Sequence, residues 1–156
     1  MEEDQISTNL KLVSPEKVLF KDQVIFNGEH FHIGQDWEVP IPGFFIVAAK
    51  RKGVSSIEDF TDAESQEFMT MLRKMRKGMR EVLGIKHVYF FQNEDTQHGF
   101  HFWLFPRLDW MEQFGRKIES VRPIMDFALA NRTDEKSREE VRAQAALMRE
   151  FYEKSH

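Results

Sequence analysis

The sequence contains no cysteine among its 156 residues. That excludes disulfides, thiolate zinc sites and cysteine nucleophiles, and nothing in the chain requires an oxidising compartment. An apolar run near the roughly 20 residues needed to span a bilayer is also lacking. The opening segment, MEEDQISTNLKLV, is acidic and polar where a secretory leader would be basic and then apolar. A cytoplasmic protein without membrane attachment is the expectation. Nor is there an excess of positive charge: the formal net charge is −4. The basic residues are scattered or gathered in RKMRKGMR, which reads as the solvated face of a helix, so nucleic acid is not an expected partner, although a nucleotide is not excluded. What is present, 41% hydrophobic and 31% charged residues, suits one globular domain.

Along the chain, VIFNGEHFHIG reads as a β-hairpin, with Asn27-Gly28 supplying the positive φ angles of a tight type I′ turn. Pro40, Pro42 and Gly43 then break regular structure, and FFIVAA follows as a buried central strand. Helical spacing takes over from Thr61. Thr61 and Glu64 form a capping box, Phe68, Met71, Leu72, Met75, Met79 and Val82 define an apolar stripe, and Gly84 supplies the stop. Two more strands, HVYFFQN and GFHFWLF, precede Pro106, which is expected to end the second. The remainder is helical, interrupted at Gly115 and Pro123, with Val141, Ala145, Met148 and Tyr152 on one face of the last helix. The order of elements predicts an α+β fold, a mainly antiparallel sheet packed with a long amphipathic helix and followed by C-terminal helices. The expected divisions are a polar segment over residues 1–17, a core over 18–107 and a helical extension of the same domain over 108–156.

In a strand from Gly99 to Phe105, Phe100, Phe102 and Leu104 face the core, and Gly99, His101, Trp103 and Phe105 face the other way. The imidazole of His101 thus has an empty position on one side and an aromatic wall on the other, which leaves room for a ligand. His30 and His32 share a face of their strand by the same alternation, but no third metal ligand stands at a recognisable spacing. No metal is expected.

GFHFWLFPR resembles the signature strand of the histidine triad (HIT) family, in which histidines alternate with apolar residues and a Pro-Arg or similar ending often follows. PIPGFFIVAAKRKGV is similar to the family's Pro-rich turn, central strand and basic exit, SIEDFTDAE to its loop into the long helix, and QNED to its asparagine-bearing phosphate loop. The resemblance covers most of Val18 to Arg107. It implies that the middle histidine, here His101, attacks the α-phosphate of a nucleotide and carries the nucleotidyl group until water or another acceptor takes it. It also implies a ribose contact for Asp36, a phosphate contact for Asn93 and a homodimeric assembly; Gln97 brackets the same turn with Asn93, where an amide can hold phosphate oxygens, and no cofactor is expected.

The departures are equally specific. Gly99 and Trp103 stand at the first and third triad positions, and the further histidine expected near Lys52 or Gly53 is missing. Indole passes no proton at neutral pH, and losing general acid catalysis typically costs ~10²–10⁴ in rate. His98 is therefore the candidate for the proton traffic. Two functions follow: a nucleotide hydrolase or transferase acting on a nucleotide or dinucleoside polyphosphate, or a non-catalytic nucleotide-binding or interaction protein on the same fold.

Overall fold

The computed structural model describes residues 5–6 and 18–154. Most of the polar segment over 1–17 therefore lies outside the described residues. Five strands, β1 (Val24–Asn27), β2 (Phe31–Gln35), β3 (Phe45–Ala49), β4 (Val88–Phe91) and β5 (His101–Pro106), form one antiparallel sheet in the order β1-β2-β3-β5-β4. The strand read as central is central: every residue of β3 is buried, as an apolar run flanked by two paired neighbours requires. The histidine strand β5 lies beside it, with Ala48 opposite His101 and Ile46 opposite Trp103.

The two faces of the sheet carry different layers. Helices α1 (Asp62–Glu81) and α3 (Glu135–Lys154) cover the first, where Phe31, Ile33, Phe45, Val47, Phe100 and Leu104 meet Phe68, Met71, Met75, Ala145 and Met148. Each large apolar side chain buried there contributes about 1.5–3 kcal/mol. Gly78 lets the helices approach, because a Cβ at that position would lie 2.6 Å from the Phe151 ring. The second face carries α2 (Val121–Asn131), whose Val121, Ile124 and Ala128 pack with Phe44, Phe105 and Met111. Beside it, Ile6 packs with Trp37 and Ala48. The alternation of β5 thus sends His101 to the face opposite α1.

Two local expectations are corrected, and a third holds. The β1–β2 hairpin exists, but neither Asn27 nor Gly28 has positive φ, and Asn27 pairs with His32 across the four residues 28–31. The type I′ turn is not needed because Glu67 of α1 accepts hydrogen bonds from the backbone N–H groups of His30 (2.9 Å) and Phe31 (2.8 Å), a tertiary contact that fixes the turn. Pro106 ends β5 as its last residue, opposite Val88 of the outer strand, where a missing donor costs little. Pro123 falls in the first turn of α2, where the N–H has no intrahelical partner, so it starts a helix instead of interrupting one.

Candidate functional site

His101 is 4% exposed. Around it lie Trp37, edge-on at 5.6 Å between ring centroids, Trp103, edge-on at 5.7 Å, and His98, whose ring is nearly parallel at 5.4 Å with 19° between planes. Burial, and then the neighbouring His98, lower the His101 pKa to about 4, so the ring is neutral at physiological pH. The Nδ1 of His98 is buried and has no hydrogen-bond partner among the described residues. Two imidazoles side by side, one uncharged and one with a nitrogen left over, can exchange protons and accept a ligand's.

The room expected beside Gly99 is not open. A Cβ at Gly99 would come within 2.5–2.8 Å of the Gln5 side chain, so the carboxamide occupies the space that the missing side chain leaves. Gln5 is positioned by a hydrogen bond from its backbone N–H to the Lys50 carbonyl at the end of β3 (3.0 Å), and Ile6 anchors it against Trp37. Nothing in a polar N-terminal stretch signals this contact; only the fold brings it to the histidine strand.

Asp36 follows β2 and is 7% exposed. One carboxylate oxygen accepts from the Trp103 indole N–H (3.1 Å), the other from the backbone N–H of Val39 (3.0 Å) and of Glu38 (3.4 Å). Burial outweighs these bonds and pushes its pKa up to about 6. Trp103 therefore spans from the triad position to the residue assigned to ribose. Its ring also stacks on Phe91 of β4 (5.5 Å, 19°). Asp36, Asn93 and Trp103 share a cavity of about 370 Å³ with Phe91 and with Val121 and Met125 of α2. Gln97 is exposed in the turn before β5 and is not part of that cavity lining.

The two histidines of the hairpin part company. His30 sits in the turn, next to Glu29 and Glu67, and the three could bring ligand atoms within 4.8 Å of one another. Glu67 is already bonded to two backbone amides there. His32 pairs with Ala48 in β2, on the face and in the cross-strand row of His101.

No family model matches the chain, and no curated protein matches its sequence. Solved structures do match. A zinc-bound histidine triad family protein from Mycobacterium smegmatis superposes with a TM-score of 0.56 at 18% identity, over 85% of this chain and 88% of that one. The fold is that of the histidine triad proteins. The NitFhit protein of C. elegans gives a TM-score of 0.51 at 17% identity over 70% of this chain and 27% of that one, so this chain spans about a quarter of its length. Within the histidine triad fold, the described structure adds three features that the motif does not contain: Gln5 over Gly99, Trp37 against His101, and α2 across Trp103.

Proposed function

We propose that the protein binds nucleotides and acts at the α-phosphate by nucleotidyl transfer through His101. A ring nitrogen of neutral His101 forms a bond to phosphorus as the bond from phosphorus to the leaving group breaks, and the electron pair departs with the leaving group. His98 or solvent protonates that group. Water or another acceptor then attacks, the nitrogen–phosphorus bond breaks, and the imidazole returns to its starting state while the attacking group loses its proton to a base. The observation that carries this reading is the His98–His101 pair: a buried, uncharged imidazole stacked on a second one whose Nδ1 is unpaired. His101 is 4% exposed, so its cover must open for phosphate to reach the ring.

A non-catalytic nucleotide-binding or interaction role is favoured by a different observation, the Trp103–Asp36 hydrogen bond, which fills the third triad position with a ring that cannot act as an acid. Incubation with a labelled nucleoside phosphoramidate or dinucleoside polyphosphate, followed by acid-free mass spectrometry of peptides, separates the two. A nucleotidyl group on His101, lost in His101→Ala, is the expected outcome. Nucleotide binding in calorimetry without any adduct would establish the binding module, and the absence of any binding would remove both readings.

A further inference from the structure

The basic block RKMRKGMR of α1 is more than a solvated helix face. Two of its arginines, Arg76 and Arg80, line a cavity of about 520 Å³ where β4 begins and β5 ends, together with Lys86, Arg107 and Arg116. Among the described residues Glu112 is the one carboxylate in that lining, and it is already paired with Arg116 (3.4 Å). Five cations and one carboxylate thus surround a single cavity in a chain whose formal net charge is −4. Like charges gathered in this way repel one another. The effect reaches Arg76, where burial first, and then the charge of Arg80, hold the pKa below the ordinary guanidinium value.

Two of the guanidinium groups are fixed in place without being neutralised. Arg76 donates to the carbonyls of Ile85 (3.3 Å) and Lys86 (2.7 Å). Arg107 donates to the Gly115 carbonyl (2.7 Å) and the Ser120 hydroxyl (3.2 Å), and its guanidinium carbon lies 5.3 Å from the centre of the Tyr89 ring. All four acceptors are uncharged, and a guanidinium has five N–H donors, so each arginine keeps its charge and further donors for a ligand. Arg80 and Lys86 are exposed, and neither side chain has an ion-pair or hydrogen-bond partner among the described residues. Held arginines beside unpaired cations make an anion site.

The anion must carry several charges in a small volume, because the cations share one cavity and the remainder of the chain is acidic on balance. A long nucleic acid strand would run onto that acidic remainder, whereas a short chain of phosphates stays among the cations. Phosphate oxygens also match the guanidinium fork in pairs. Apolar lining is limited to Val88 and the Tyr89 ring, so the phosphates themselves are what the cavity can read. Arg107 lies past the end of the strand that His101 begins, about 20 Å away along an extended chain. We propose that this cavity binds a short polyphosphate, a chain of two or three phosphoryl groups, at a site separate from His101. The proposal stands independently of nucleotidyl transfer, and the chain of phosphates can be free or the tail of a nucleotide.

The test is calorimetry on the full chain at low and at physiological salt, with inorganic triphosphate, pyrophosphate, adenosine triphosphate and a hexaglutamate peptide as probes. Triphosphate should bind more tightly than pyrophosphate, and more weakly as salt rises. Arg80→Glu combined with Lys86→Glu reverses two exposed charges and should weaken triphosphate at least ~10-fold. Arg80→Lys combined with Lys86→Arg keeps both charges and should keep most of the affinity, and His101→Ala should bind triphosphate as the wild type does. In the His101→Ala background, adenosine triphosphate distinguishes the sources of the phosphate chain. Affinity equal to that of triphosphate means that free phosphates suffice, and tighter binding that charge reversal removes means that the chain is taken as part of a nucleotide; both support the proposal. It is overturned if triphosphate does not bind at low salt, binds equally to the charge-reversed protein, or loses its affinity in His101→Ala. Hexaglutamate binding as tightly as triphosphate would also overturn it, in favour of a surface for acidic peptides. Melting curves establish that the charge-reversed protein is folded. If it is not, Lys86→Gln alone, at an exposed position outside any helix or strand, decides: a triphosphate affinity that it leaves unchanged overturns the proposal.

Discussion

His101 is held uncharged by its surroundings. Its pKa of about 4 results first from burial and then from His98, and the ordinary value for the unfolded chain is about 6.5. A folded-state value below the unfolded one means that the native state resists protonation of this ring. Stability attributed to it is therefore complete above pH 6.5, falls as pH drops toward 4, and levels off below. The Cε1 proton of His101 should titrate in NMR with a midpoint near pH 4, and the nucleophilic form should persist throughout the range in which an exposed histidine becomes charged. A midpoint at 6.5 would mean that water reaches the ring freely. Asp36 behaves in the opposite sense, because its value of about 6 exceeds that of an unfolded aspartate. Its buried charge weakens the fold above pH 6, and that weakening disappears as pH falls through 6 toward 4.

The first turn of helix α1 holds a residue that performs two jobs. Glu64 accepts from the Thr61 backbone N–H (2.8 Å) while its own N–H donates to the Thr61 hydroxyl (3.1 Å), and the same carboxylate receives two bonds from Arg51 (3.0 and 2.9 Å) at the exit of β3. The start of the helix is thereby tied to the central strand. Arg51, together with the Thr61 bonds, lowers the Glu64 pKa to about 2 against the pull of burial. This stabilisation is present above the unfolded value near 4.5 and lost as pH falls through that value toward 2. Glu64→Gln retains a carboxamide oxygen for the cap and loses the ion pair, so urea unfolding at pH 7 should show a lower midpoint, with the effect reduced by the solvent exposure of Arg51. The deficit should shrink in acid. A loss that stays constant between pH 7 and pH 2 would show that the pair contributes nothing.

At the scale of the molecule, the two edges of the sheet differ. β1 is covered by α3, whose Arg149 Nε donates to the Val24 carbonyl (2.6 Å) and whose Tyr152 stacks on Phe26 (4.5 Å). The β4 edge instead carries Phe90, 45% exposed, beside Met69 and Leu72 of α1. An outer strand with an apolar flank is a surface on which a second strand can pair. A homodimer through β4 is the expected assembly. Light scattering at micromolar concentration should give twice the 18.6 kDa chain mass, and Phe90→Lys should shift it toward the monomer. A monomer in the wild type would exclude this arrangement.

Features that depend on neighbours in the chain were legible in the sequence: the α1 stripe and its capping box, the apolar β3, the buried face of α3, and the alternation that separates His101 from Phe100 and Phe102. Each is a matter of period or of a contact three residues away, and burial of one face enforces it. The histidine strand could be picked out for the same reason, since its motif lies within nine residues. What only the tertiary structure decided depends on residues distant in the chain. Glu67 replaces the turn geometry that Asn27-Gly28 suggested. Gln5 enters the gap at Gly99, and the indole of Trp103 reaches Asp36 across 67 residues of sequence. The wall of α2 over Phe91 and Trp103 comes from a segment whose own periodicity says only that one side is apolar. A local pattern fixes which side of an element is buried, because burial acts on every residue of that face alike; it carries no information about which distant side chain will cover it.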